Sequence, residues 1–561
     1  MKKIISIILL FACSTMFYNC SDDAYNEKYE DPTKVSEVSV EKLMTGVFLR
    51  SKDFSLAGYY RYFAYDNLFM GKYCQTFGAY TGAGMWNPGF LPYANEAFEK
   101  FYRALTDYKL LEKFYNEMTD TEKADNEAYY WAAKVHVLDY FTAVLDVYGD
   151  LPWTDACKIA LTGDPNDISA HYDKAEDSYK MILNETKTAN ERFAAMSKPS
   201  LFGSQDFINE GDFMKWRRYA NSIRLRVALR VSTQGALSAD GQAAIKEILG
   251  NPSNYPLVET NDQNIQIWNR GTGELNQEGG GGFDWGSCRL ASGAMINRML
   301  SKGSYDESKE GSGTWTKGID DPRLPLLFCM AVPSGKVVNA TNGIIPTVYR
   351  GTNPTMSVEF QSSLSSGAGF SWVREYGFFW KNKKWDHQLF SAAELWFIKA
   401  EAYQRGWVDG DAKAAFKRAV SESIKFYYKY QKNRSDTETS DVSNRQHYVI
   451  NPEEPTDEEI EAFGEARWEA PINDMFPYKD KIDAIITQKW INLGIIFVRE
   501  AWNDLRRTGY PSGLVFPTDP GATISNVPLR WRYPDKERTY NKYYNEVADK
   551  DTYYTKLFWA K

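Results

Sequence analysis

Trp396, Ala400, Tyr403, Ala412, Phe416 and Ala419 set the strongest limit on what this chain can become. They fall at the tetratricopeptide spacing for two antiparallel helices, with small side chains where the helices approach and rings in the space between. Lys399 and Ile424 stand where that repeat carries Leu and Pro. One such hairpin cannot bury its own apolar face, so several must stack. Ala175, Tyr179 and Ile182 repeat the style earlier in the chain.

Apolar residues at three- and four-residue intervals predict further helices over Ala94–Met118, Asn126–Tyr148, Asp173–Phe193 and Phe213–Ser232. Asp173 and Glu176 resemble a capping box, and Ser391 with Glu394 make an S-x-x-E box before a helix ending near Gly406. Ile482–Thr508 reads as one long helix stopped by Gly509 and Pro511. The predicted fold is mainly α: tetratricopeptide-like hairpins forming an α-superhelical scaffold, with helical repeats mainly over 94–234 and 391–510. From about 251 to 388 the pattern changes. Gly279–Gly282 and Gly311-Ser312-Gly313 are typical there, and only Ser292–Leu300 keeps a helical period. This segment reads as a long irregular loop and short-strand insertion carrying the ligand site, since loops of this length are usually functional.

The N-terminus gives a location. Lys2-Lys3 precede a mostly apolar run from Ile4 to Tyr18, and Cys20 is followed by Ser21-Asp22-Asp23. The pattern is a lipoprotein signal over residues 1–19, with Cys20 acylated, a polar tether over 20–40 and a single domain over 41–561. Cys13 also follows a Leu by three residues, but cleavage there would leave an apolar stretch on the mature chain. No later window holds 18 consecutive apolar residues, so lipid is the expected membrane attachment. Cys74, Cys157, Cys288 and Cys329 form no C-x-x-C pair.

With 74 acidic and 66 basic residues the net charge is −8, or −10 once a leader carrying Lys2 and Lys3 is gone. Nucleic acid is a poor partner for such a chain. Four histidines leave little room for histidine metal or acid–base sites. There is no G-x-S-x-G, H-E-x-x-H, Walker loop, EF-hand or dinucleotide fingerprint. The Arg-rich run Trp216–Arg230 and the cluster Glu500, Asp504, Arg506, Arg507 read as ion pairs between helices, and His136 as a structural residue.

Rings are abundant: Phe, Trp and Tyr make up 15% of the chain. Several sit in glycine-rich loops, where their own element cannot cover them. Such rings suit sugars, whose axial C–H groups stack on the π-face while hydroxyls meet Asn, Asp and Arg. The candidate ligand residues are Tyr80, Trp86, Asn87, Trp268, Arg270, Phe283, Asp284, Trp285 and Trp315; Trp372 lies in the same irregular region.

Several segments in order resemble the SusD/RagB family of outer-membrane nutrient-binding lipoproteins. They are Cys20–Asp23, Tyr148-Gly149-Asp150-Leu151-Pro152-Trp153, Asn221–Ala228, Ala393-Glu394-Leu395 with Lys399–Tyr403, Glu500–Gly509, and Arg532-Tyr533-Pro534. The resemblance implies a non-catalytic cell-surface glycan-binding protein, lipid-anchored at the outer membrane. It also implies a SusC-like TonB-dependent transporter as partner, to which the captured oligosaccharide passes. No cofactor is expected, with a structural calcium left open by the scattered Asp residues. Some relatives bind peptides, so a peptide ligand is the alternative, followed by a surface glycoside hydrolase or a purely structural subunit of the transporter.

Overall fold

The computed structural model describes residues 39–56, 58–79, 84–87, 91–268, 290–301, 305–306, 312–331, 347–352, 354–359, 369–374, 386–432 and 449–561. The leader, Cys20 and nearly all of the tether lie outside them. Helix α1 (Val40–Arg50) starts at the last residue assigned above to the tether. A π-helical turn, Tyr59–Met70, separates it from α2 (Leu91–Glu117) and α3 (Asp120–Tyr148). Then follow α4 (Ala175–Ala195), α5 (Phe213–Val231), α6 (Ser238–Gly250) and β1 (Ile265–Ile267). The insertion supplies α7 (Gly293–Met299), β2 (Tyr305–Asp306), β3 (Ser312–Gly313), β4 (Tyr349–Arg350) and β5 (His387–Phe390). Helices resume with α8 (Ala392–Gln404), α9 (Ala412–Lys432), α10 (Asp457–Glu469), α11 (Lys481–Leu493), α12 (Val498–Thr508) and the short α13 (Asp535–Tyr540).

Local chemistry sets the helix ends. Thr119 and Glu122 form a full capping box at α3, and Gly149 ends that helix at a φ of 83°. α3 is buried on every face from Glu127 to Tyr148, which makes it a central rather than an amphipathic surface helix. Two predicted boxes come out differently. Ser391 Oγ does accept from the Glu394 N–H at 3.3 Å. The Glu394 carboxylate, however, accepts from Arg226 Nε and Nη2 at 2.7 and 2.8 Å. Asp173 caps nothing: it accepts from the N–H groups of Trp153 and Thr154 at 2.7 and 3.0 Å. The Ala175 N–H goes to Asp150 instead, at 2.9 Å.

The hairpins stack as the repeat requires. α8 packs on α9, where Ala400, Phe416 and Ala419 are sealed and the Phe397 and Phe416 rings meet edge to face, 6.2 Å apart. α4 packs on α5, where the Phe193 ring stacks on Trp216 5.8 Å away, and Ala175, Tyr179 and Ile182 are buried along α4. α1 lies on α2 and α3, α6 on α5, and α10 on α9. At the α8–α9 turn Gly410 is required by contact, since an added Cβ would sit 2.6 Å from the Tyr403 ring. Ile482–Thr508 is two helices, not one. The first ends at Leu493, beside Gly494, which packs too closely on Met295 to admit a Cβ, and the chain re-enters helix at Val498. The apolar period hides the break, because Ile495, Ile496 and Phe497 are buried in it.

Within the insertion, β1 pairs antiparallel with β5, and β2, β3 and β4 form a second small sheet. Leu290, Met356 and Phe370 make a separate small core with Trp372 half-buried against it. The C-terminal segment returns over the helices. The Trp531 N–H donates to the Val147 carbonyl and the Lys561 N–H to the Arg506 carbonyl, both at 2.8 Å.

The Arg-rich helix α5 is an ion-pair seam. Arg224 pairs with Glu247, Arg226 with Glu394 and Asp139, and Arg230 with Asp146 and Glu500. Arg507 binds Glu401 through both terminal nitrogens, and also Asp504. His136 is sealed within α3 beside the Tyr219 hydroxyl, and burial pushes its pKa down to about 3.

Candidate functional site

The insertion contributes one wall of an open cleft. Trp315 follows β3 and leads into a turn over residues 317–319. Its indole N–H donates to the Asp321 carbonyl at 3.1 Å, which fixes the ring. Asp320 ties the turn down by accepting from the N–H groups of Ser301 and Thr316 at 2.5 and 2.6 Å. The Asp321 carboxylate is taken by Arg323, through Nε at 2.9 Å and Nη2 at 2.6 Å. Arg323 also reaches Ser423 on α9 and Gln488 on α11. The turn is thus riveted to the helical scaffold, as a binding loop on a rigid frame should be.

α10 supplies the facing wall with Glu459, Phe463 and Arg467, and α9 supplies Tyr428. Thr456 and Glu459 start α10 with a full capping box. Lys413 bridges α9 to Glu465 and Glu469 at 2.5 and 2.8 Å, and Lys425 reaches Asp457 at 2.7 Å. The far face of α10 is buried through Trp468, whose ring lies 5.3 Å from Phe416. These contacts hold the two walls about an open volume of about 490 Å³, within the ordinary range for a small-molecule site. Lys317 and Glu453 pair across the rim at 3.1 Å.

The predicted ligand residues separate into three groups. Trp315 lines this cleft, half-buried. Trp268, just after β1, leaves 55% of its surface exposed. Asn87 is half-buried on a turn closed by its own N–H to the Gly84 carbonyl. Tyr80, Arg270, Phe283, Asp284 and Trp285 lie outside the described residues. Trp86 corrects the exposure argument: its ring is 1% exposed. The indole N–H donates to the Pro517 carbonyl at 2.9 Å, and the ring packs beside Phe516. Asp519 clamps the turn by accepting from the Gly84 and Met85 N–H groups at 2.6 and 3.1 Å. A segment remote in sequence covers the ring that its neighbours could not. A sealed indole offers no face to a sugar.

Sequence reasoning missed Tyr428, Phe463 and Arg467. The Thr456-x-x-Glu459 box was the available signal for the helix that carries the last two. Among the described residues, no cluster of three His, Cys, Asp or Glu side chains could hold a metal. Among them also, no helix is long and apolar enough to cross a membrane.

Residues 50–560 match the family model described as SusD-like, Susd and RagB outer membrane lipoprotein. The chain belongs to this SusD-like family. No curated protein matches it in sequence. Solved SusD-like structures share its fold. One described as a chitin-binding protein is 22% identical with a TM-score of 0.67, covering 92% of this chain and 99% of its own. A SusD homolog from Bacteroides fragilis NCTC 9343 is 20% identical with a TM-score of 0.64, covering 93% and 99%. One from Parabacteroides distasonis ATCC 8503 is 19% identical with a TM-score of 0.65, covering 93% and 98%. At these identities the likeness establishes a common fold. The family is one of outer-membrane lipoproteins that bind nutrients.

Proposed function

We propose that this SusD-like protein is a non-catalytic oligosaccharide-binding lipoprotein. It is anchored through Cys20 on the cell surface and delivers its ligand to a SusC-like TonB-dependent transporter. The observation that carries the reading is the cleft, an open volume between a riveted loop and α10, lined by the rings of Trp315, Phe463 and Tyr428 with polar groups at its edges. Such a lining suits a solute with apolar C–H faces and hydroxyl edges. The exposed Trp268 offers a second stacking face from the same insertion. Tyr80, Asn87, Arg270, Phe283, Asp284 and Trp285 complete the proposed set. The helical half, with its wide stacked surface, is the proposed transporter face. The chitin-binding relative shares the fold and nothing closer, so the ligand class here rests on the cleft.

The test is a titration of the protein against an oligosaccharide panel, with Trp315→Ala and Trp268→Ala alongside. A tenfold loss of affinity in Trp315→Ala supports the site, and unchanged binding in both variants removes it. Incubation with the matching polysaccharides should leave them intact, and released fragments would point to the hydrolase reading instead.

A further inference from the structure

One cation in the cleft has two buried donors that meet no acceptor among the described residues. Arg467 stands near the end of α10, with its guanidinium 5.3 Å from the centre of the Phe463 ring. Its Nε and Nη1 are buried and donate to no partner among the described residues, and among them no carboxylate lies within ion-pair reach of the group. Three arginines of the helical scaffold contrast with it, each met by a carboxylate: Arg226 by Glu394, Arg230 by Glu500, Arg507 by Glu401. Burial pushes the Arg467 pKa down, against the pull of Tyr478 and Asp321. A buried donor without an acceptor is costly, and a buried charge more so.

The acids nearby cannot meet that need. Asp321 is occupied by Arg323 and Asp320 by two backbone N–H groups. Glu459 accepts from its own helix start at the Thr456 N–H. Glu453 lies on the rim with 88% of its side chain exposed, paired with the half-exposed Lys317. An exposed pair of that kind is weak, so Lys317 is a second cation able to turn to an incoming anion. The valence left open in the cleft is therefore for an acceptor, and preferably a charged one, beside rings that suit a sugar face.

We propose that the Trp315–Arg467 cleft selects a sugar residue bearing a carboxylate, which Arg467 receives while the pyranose ring lies against the aromatic wall. The inference rests on the glycan reading above. Arg467 suits the role because a planar guanidinium binds a carboxylate in two-point fashion, whereas a lysine does so only as a point charge. The net charge of −8 does not prevent this. At physiological salt charges are screened beyond roughly 8 Å, so the groups inside the cleft decide.

Calorimetric titration of the whole chain against acidic oligosaccharides tests the proposal. The probes are fragments of polygalacturonate, alginate and hyaluronan, each paired with the same fragment after its carboxyls are reduced to primary alcohols. At least one acidic fragment should bind tenfold or more tightly than its reduced partner. Arg467→Met should remove that difference, and Arg467→Lys should fall between. If Arg467→Met does not fold, Arg467→Lys, which keeps the charge and most of the stem, carries the comparison. Equal binding within every pair, or a preference that survives both substitutions, overturns the acid selection and leaves the glycan reading standing. Failure of every fragment, acidic and reduced, counts against both.

Discussion

Arg507 and Glu401 meet through two hydrogen bonds, Nη1 to Oε1 at 2.6 Å and Nη2 to Oε2 at 2.7 Å, with neither side chain exposed. They join α12 to α8, the two helices that carry the clearest sequence signatures. Burial alone would raise the Glu401 pKa, but Arg507, then Arg405 and Lys489, pull it down to about 2. An unfolded glutamate titrates near ~4.3. The unfolded chain therefore binds more protons between these values. The contribution is complete above pH ~4.3 and is lost as pH falls toward 2. Glu401→Gln leaves a buried guanidinium only partly paired by Asp504 and should cost about 3 kcal/mol, measured as a lower urea midpoint at pH 7. The difference from wild type should shrink at pH 3.

Asp66 behaves in the opposite sense. It lies in the π-helical turn and faces a small internal cavity that Arg61, Arg499 and Glu500 also line. Burial pushes its pKa up to about 7, against the pull of Arg61 and Arg499. A carboxyl whose folded pKa is raised contributes stability below its unfolded value, near ~3.9, and loses it as pH rises through 7. Asp66→Asn keeps the shape and cannot ionise. It should raise the melting temperature at pH 8 and leave it nearly unchanged at pH 4, so scanning calorimetry at the two values suffices. A stability loss at pH 8 would show that ionised Asp66 is held by the arginines after all.

His136 supplies a spectroscopic check. Desolvation within α3 holds its pKa near 3, below the unfolded value of ~6.5. Its contribution is whole above pH ~6.5 and drains away as pH falls toward 3, the same direction as Glu401 and opposite to Asp66. In a histidine NMR titration the His136 ring should remain neutral at pH 5.

Much of the scaffold was legible because its signals are local. Ala400, Phe416 and Ala419 had to share an interface at that spacing, and they do. The errors came where a remote segment decides the outcome. Asp173 had the sequence of a helix cap, yet the Trp153 turn takes its carboxylate and Asp150 takes over at α4. The break at Gly494 was masked by an apolar period that three buried residues continue. In the candidate site, Trp315 could be named from the sequence, because an isolated ring in an irregular segment has few local neighbours. Arg467 could not, since a helical arginine reads as a solvated or paired cation until the positions of every carboxylate around it are known.

Trp86 and Trp315 separate the two fates of a loop tryptophan, and substitution should separate them again. Trp86 is sealed by Pro517 and Phe516 and donates its indole N–H to a carbonyl. Removing so large a buried ring typically costs about 3–5 kcal/mol, because the cavity relaxes only in part. Trp86→Ala should therefore lower the melting temperature clearly, while the folded fraction keeps its affinity for any ligand of the Trp315 cleft. Trp315 is half-buried, and its neighbouring turn is held independently by Asp320 and Arg323. Trp315→Ala should cost little stability and at least a tenfold loss of oligosaccharide affinity, equivalent to ~1.4 kcal/mol of binding. Measuring melting temperature and affinity on both variants gives a crossed pattern. If Trp86→Ala lost affinity with its melting temperature intact, the buried ring would belong to the ligand surface, and the cleft at Trp315 would lose its claim to be the main site.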